Sequence, residues 1–315
     1  MKMSKFLKII MLISLTSFAS LLALFAYVLA TVELQIPQVY DNPNNPTKYY
    51  TAEYNSYTYY YQHNNYYNLK KKNHILEEFF NQFDHIGVYY HNINSGFSFS
   101  HNGYRNFFAA SLTKAPFSMY IYKKADNNLI NLNDVHPFLS EYFSSGSGII
   151  RHTYKIGAQI SQRQLLAYNL FKSDNIALRM LRSIHGTEGF TSFVYSLGAN
   201  PNHIHNITYS RTTARDAGLI TLAMYNYIES GSAHSREFLN HLLNNHYSFF
   251  VSSYPIAGKT GWFHNFGGAW HEMAIIYAPS PFILVVLSNN YMYDTPLLQK
   301  ISTFIEEFNS TWFAP

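Results

Sequence analysis

No cysteine occurs among the 315 residues. That absence excludes a disulfide framework, thiolate catalysis, cysteine-ligated zinc and attachment of lipid to a cysteine. Charge is also sparse, at 13% of residues, and the formal net charge is only +4. The lysines and arginines are scattered rather than gathered into a stripe interleaved with aromatics, so no nucleic-acid partner is expected. No His-Glu-x-x-His stretch is present. His271-Glu272 runs into an apolar segment and His203-x-His205 offers two imidazoles at most, so neither a metal nor any other cofactor is expected. No internal repeat of fixed period is found. What is abundant is aromatic, with 28 Tyr and 25 Phe in a chain that is 47% hydrophobic, enough for a sizeable core.

The first 72 residues differ from the rest. Lys2, Lys5 and Lys8 form a basic stub over residues 1–8, followed by an uncharged apolar run over 9–30. A bilayer core needs about 20 such residues, and positive charge in front leaves the body of the chain outside. The expectation is a single-pass cell-membrane protein with an extracellular body, or a secreted one if the chain is cleaved after Ala30. Residues 31–72, with Pro37, Pro43, Pro46 and a Tyr/Asn-rich tract, keep neither helical nor strand period and read as a linker. The tyrosines there either stack on glycan or belong to a solvated spacer.

A domain is expected over 73–315. Ile75, Leu76, Phe79, Phe80 and Phe83 recur at helical spacing from His74. Ile86 to Ile93 reads as a strand, Asn94-Ser95-Gly96 as a turn, and Phe97 to Ser100 as the partner strand. The pattern is then mostly helical from Ser111 to Leu243. Strands return at Tyr254 to Gly261, Ala269 to Tyr277 and Phe282 to Ser288, and a helix from about Pro296 to Phe308 closes the chain. Strands at both ends around a helical insert predict an α+β protein: a five-stranded antiparallel sheet flanked by terminal helices, beside an all-helical subdomain, with the active site between them.

Three short stretches carry chemistry. In Ser111-Leu112-Thr113-Lys114, positions three apart share a helix face, so an amine can approach a hydroxyl and, when neutral, accept its proton. Alone this pattern is weak, since about one Ser-x-x-Lys arises by chance in such a composition. Ser173-Asp174-Asn175 also reads as a helix N-terminus, and Lys259-Thr260-Gly261 also reads as an edge strand with a solvated lysine. Chance supplies only ~0.06 and ~0.04 of these triplets.

In this order the three stretches resemble the signature of the class A β-lactamases and their penicillin-binding relatives. The resemblance covers about three quarters of the chain, from His74 to Phe308. It implies a serine hydrolase that forms an acyl-enzyme through Ser111 with β-lactams or D-Ala-D-Ala-type cell-wall peptides. Lys114 would be the base or would orient Ser111, Ser173 would relay a proton to the leaving nitrogen, and Asn175 would hold Lys114 and the substrate amide. Lys259 and Thr260 would bind the substrate carboxylate. The backbone N–H groups of Ser111 and of Trp262, the residue after Gly261, would form the oxyanion hole.

One departure bears on subtype. Class A enzymes carry a loop glutamate that activates the deacylating water. Between Asn175 and Thr212 the only acid is Glu188, just after the Ser-Asp-Asn helix, and the corresponding loop, 199–206, has no carboxylate. Asp216 reads as part of a capping box with Thr213, and His203 or His205 is either surface or a substitute base. Slow hydrolysis of a β-lactam adduct is therefore expected, favouring a DD-peptidase-like enzyme over a working β-lactamase. A non-turning-over binding protein is the remaining alternative.

Overall fold

The structure is a computed structural model; it describes residues 66–200, 210–245, 247–264, 268–289 and 294–314. All of them fall within one of the chain's two units, Tyr50–Pro315. The expected anchor at 9–30, most of the linker, and His203 and His205 lie outside the described residues. Among the described residues no helix is long and apolar enough to cross a membrane.

The central element is a five-stranded sheet in the order β2-β1-β9-β8-β7, every neighbouring pair antiparallel. Its strands are β1 (Ile86–Asn92), β2 (Ser98–His101), β7 (Ile256–Phe263), β8 (Ala269–Ile276) and β9 (Phe282–Ser288). Because side chains alternate across a strand, the apolar residues of β9 serve two cores. Phe282, Leu284 and Val286 face one cluster and Ile283, Val285 and Leu287 the other. The first cluster is completed by the terminal helices α1 (Tyr66–Phe80) and α9 (Thr295–Phe313), through Leu76, Phe80, Leu298, Ile301 and Ile305.

The second cluster joins the sheet to the helical insert: α2 (Lys114–Asp126), the one-turn α3 (Ile150–Thr153), α4 (Gln162–Phe171), α5 (Asn175–His185), α6 (Glu188–Ser196), α7 (Ala214–Glu229) and α8 (Ala233–Leu243). Fully burying one such apolar side chain stabilises by about 1.5–3 kcal/mol, so both faces of the sheet are strongly committed. The α+β architecture expected from the sequence is the one observed.

Two differences have physical causes. Helix α1 starts at Tyr66, inside the stretch read as linker. Its lysine-rich opening hides the period, yet Lys72 lies 4.3 Å from the Phe313 ring centre and Lys71 lies 5.5 Å from that of Trp312, so cation–π contacts take the place of an apolar stripe. Four very short strands were not expected: β3 (Phe107–Phe108) paired with β6 (Arg211–Thr212), and β4 (Val135–Pro137) paired with β5 (Gln159–Ser161). Two or three residues are too few for an alternating pattern to register.

Candidate active site

Where the insert meets the sheet, the chain turns sharply out of β3. His271, fully buried on β8, accepts from the N–H of Ser288 on Nδ1 (3.0 Å). The neutral ring therefore carries its proton on Nε2, which donates to the carbonyl of Phe108 (2.7 Å). Burial holds this imidazole down at about 4, so it serves as an uncharged strut fixing the strand just before the turn that carries Ser111. Sequence reasoning weighed His271 only as a metal ligand. Among the described residues no group of three or more His, Asp or Glu is placed to hold a metal ion.

The turn itself is a 3-10 segment, Ala110–Thr113, that runs directly into α2. Ala110 sits at φ 47°, a left-handed conformation costly for a residue with a side chain, and it presents the half-buried Ser111. Edge strand β7 passes beside this turn. A Cβ on Gly261 would stand 3.0 Å from the Ser111 backbone nitrogen and 3.0 Å from the Ala109 carbonyl oxygen, so a side chain here would require the turn backbone to shift by a few tenths of an ångström. The motif's glycine is thus explained by the backbone it touches.

Lys114 is 1% exposed. Its ammonium donates to the Ser173 carbonyl, to Ser173 Oγ (3.1 Å) and to Asn175 Oδ1 (2.8 Å). Lys259, fully buried on β7, donates to the same Ser173 Oγ (3.1 Å) and to the Thr260 carbonyl (3.0 Å). Two amines therefore flank one hydroxyl. Burial first, then the neighbouring Lys259, pushes Lys114 well below the usual lysine range, and Asp174 opposes this. Burial lowers Lys259 to about 7, with the carboxylate of Glu272 acting upward.

The triplet Ser173-Asp174-Asn175 forms a helix N-terminus and also lies against both motif lysines. Asp174 caps α5, its Oδ1 accepting from the N–H groups of Ile176 (2.8 Å) and Ala177 (3.1 Å). Its Oδ2 accepts from Ile149 (2.6 Å) and Ile150 (2.9 Å) at the start of α3. Ser173 is forced to φ 49° ahead of that cap, and Asn175 is turned toward Lys114 while its Nδ2 donates to the Ser145 carbonyl (3.0 Å). Lys114, Ser173, Asn175 and Lys259 thus share one hydrogen-bond network, and Gly261 brings β7 against the backbone of Ser111.

Thr260 joins through its carbonyl, and its hydroxyl bonds to no other described residue. The Trp262 indole, 42% exposed, shares with Thr260 the face of β7 opposite Lys259 and Gly261, with Trp270 at 6.2 Å.

Glu272 is the residue that sequence reasoning missed. It is fully buried, in register with Thr260. It accepts from Ser248 Oγ (2.8 Å) and from the N–H groups of Phe249 (2.6 Å) and Phe250 (2.8 Å). Burial raises it to about 7 against these bonds and the pull of Lys259. A lone acid in an otherwise apolar strand was the available signal.

Thr213 caps α7 on Asp216 as expected, with a hydroxyl–carboxylate bond in place of the reciprocal backbone bond of a capping box. Thr213 Oγ1 donates to the Asp216 carboxylate (2.8 Å) and accepts from the Asp216 N–H (3.0 Å). Glu188 lies exposed in the first turn of α6.

Comparison with known proteins agrees with this geometry. Residues 71–307 match the model of the beta-lactamase enzyme family. Among solved structures, PBP-A is similar at 18% identity and a TM-score of 0.65, over 77% of this chain and 97% of that one. The beta-lactamase from Francisella tularensis shares 19% identity at a TM-score of 0.64, over 77% and 100%. That from Sphaerobacter thermophilus shares 20% at 0.61, over 73% and 92%. No curated protein matches in sequence. With three quarters of its length under the family model and Lys114 and Lys259 meeting on Ser173 Oγ, the chain belongs to the beta-lactamase enzyme family and is a serine hydrolase.

Proposed function

We propose that this protein is an extracytoplasmic acyl-transfer enzyme, anchored by residues 9–30, in which Ser111 is acylated by β-lactams or by D-Ala-D-Ala-type cell-wall peptides. The observation that carries the reading is the buried amine of Lys114, held by Ser173 and Asn175 and kept short of its proton by burial and by Lys259. A neutral Lys114 accepts the Ser111 proton as Oγ attacks the scissile carbonyl. The resulting oxyanion is met by the N–H groups of Ser111 and Trp262. Ser173 Oγ, bonded to both amines, passes its proton to the leaving nitrogen and takes up the one Lys114 received from Ser111, which returns Lys114 to its neutral form. Protonated Lys259 and the Thr260 hydroxyl receive the substrate carboxylate.

Deacylation of a β-lactam adduct is the weak step in this reading. Glu188 is exposed and Asp216 is committed to Thr213, so a DD-peptidase-like activity ranks before β-lactam hydrolysis. PBP-A, similar in fold, has been obtained as a mutant acyl-enzyme with penicillin G, which fits the first half of the cycle. Mass spectrometry of the protein exposed to penicillin is expected to show one covalent adduct that persists for many minutes and never forms in Ser111→Ala. Rapid turnover of a chromogenic cephalosporin would make the protein a working β-lactamase instead.

The pH dependence follows from the two lysines. Acylation of free enzyme needs Lys114 unprotonated and Lys259 protonated, so its second-order rate falls as pH rises through about 7, where Lys259 loses its proton. The anion of Glu272 stabilises that ammonium. Glu272→Gln removes the charge while keeping the bonds: the amide oxygen faces the N–H groups of Phe249 and Phe250, and the amide nitrogen donates to Ser248 Oγ, itself bonded to the Phe250 carbonyl (3.2 Å). The alkaline limb is expected to move to lower pH, each unit of displacement costing about tenfold in rate above it. Stopped-flow acylation across pH checks this, and a limb that stays in place removes Glu272 from the machinery.

A further inference from the structure

One wall of the site continues beyond Asn175. The segment 141–145 runs alongside α5, tied to it at successive turns of the helix. Asn175 Nδ2 donates to the Ser145 carbonyl (3.0 Å), Arg179 Nη1 to the Phe143 carbonyl (3.0 Å), and the hydroxyls of Tyr142 and Ser183 bond at 2.9 Å. At the far end of this seam lies a cavity of about 450 Å³ lined by Glu141, Tyr142, Arg179, Arg182, Ser183 and Thr187 among others.

Its charge is unbalanced. No carboxylate among the described residues forms an ion pair with Arg179 or Arg182. The Arg182 Nε is sealed from solvent without a hydrogen-bond partner, a costly state for a charged donor. Burial, then Arg179, presses the Arg182 guanidinium below its usual range, as two neighbouring cations require. Glu141 lines the same cavity without pairing with either arginine.

We propose that this cavity is a substrate subsite that takes a side-chain carboxylate of the acyl-donor peptide on Arg179 and Arg182. An amine or amide N–H beside that carboxylate faces Glu141. A polyanion is disfavoured because Glu141 repels a second negative charge, whereas a peptide supplies both polarities. Planar guanidinium groups suit a carboxylate because they can offer it two parallel N–H donors. Arg182 follows Asn175 by seven residues, which is about 10 Å along a helix. An extended peptide advances about 3.3–3.6 Å per residue, so, with the amide of the acylating residue held at Asn175, the carboxylate sits roughly three residues before the scissile carbonyl.

This subsite rests on the acyl-transfer reading above, and the test separates the two. Ser111→Ala, which forms no adduct, is titrated calorimetrically with two peptides ending in D-Ala-D-Ala. They are identical except that the residue three positions before the scissile carbonyl carries a free side-chain carboxylate in one and its amide in the other. The carboxylate peptide is expected to bind about tenfold more tightly, and the preference is expected to vanish when Arg179→Gln and Arg182→Gln are added. Equal binding of the two peptides, no binding of either, or a preference that survives both arginine replacements overturns the subsite. Penicillin adduct formation by the unmodified chain reports independently on Ser111.

Discussion

Lys114→Met is expected to slow acylation of Ser111 by about a thousandfold, within the range a positioned general base supplies, without lowering the melting temperature. The two halves of this expectation have one cause. An amine that is 1% exposed has been taken out of water at a cost of several kcal/mol, as a desolvated charge or as a lysine made to give up its proton, and its bonds to Ser173 and Asn175 only partly offset that cost. Methionine fills a similar volume with no charge to desolvate. Ser173 Oγ keeps Lys259 as a partner, so the acceptors stripped of the Lys114 bond are Asn175 Oδ1 and the Ser173 carbonyl, each worth about 1–3 kcal/mol, which the relieved desolvation offsets. Stopped-flow acylation and thermal unfolding of the same preparation check both halves. Acylation within tenfold of the unmodified chain would remove Lys114 as the base, and a large loss of stability would mean that the lysine is held for the fold.

That trade of stability for reactivity explains why the site was partly legible from sequence. Ser111, Lys114, Ser173 and Lys259 belong to short stretches whose order is informative because polar residues so spaced contribute little to packing. The sheet was legible because the alternation in β9 and the apolar run of β8 must face two cores. What escaped notice depends on contacts between distant residues. Asp174 reaches Ile149 and Ile150 across 24 to 25 positions, and no periodic pattern announces that. Glu272 stands in the sequence only beside His271 as a weak metal candidate, because its partners come from a loop, 248–250, with no composition of its own. The early start of α1 was hidden because lysine stems lying over Trp312 and Phe313 do the work that leucines would make visible.

Asp174→Ala is the substitution expected to cost most in stability. Four backbone N–H groups, from Ile149, Ile150, Ile176 and Ala177, converge on this one buried carboxylate. Alanine leaves all four without an acceptor at the starts of α3 and α5. Each orphaned donor costs about 1–3 kcal/mol, and the sum, ~5 kcal/mol or more, matches the whole stability of many domains. Water offers little relief, because Asp174 is 1% exposed and a Cβ on neighbouring Gly148 would already lie 2.3 Å from the carboxyl group. Asp174→Asn separates the contributions. Its single oxygen can serve one helix start while its amide nitrogen, a donor, faces the other, so about half of the loss is expected. Urea unfolding of the three proteins at one pH gives the ranking, and an alanine variant within about 1 kcal/mol of the unmodified chain would refute the double cap. Because Asn175 follows directly and is fixed by the same turn, the asparagine variant, if folded, is also expected to acylate more slowly: a loosened cap lets Asn175 Oδ1 drift from Lys114, and the base loses the partner that aims it.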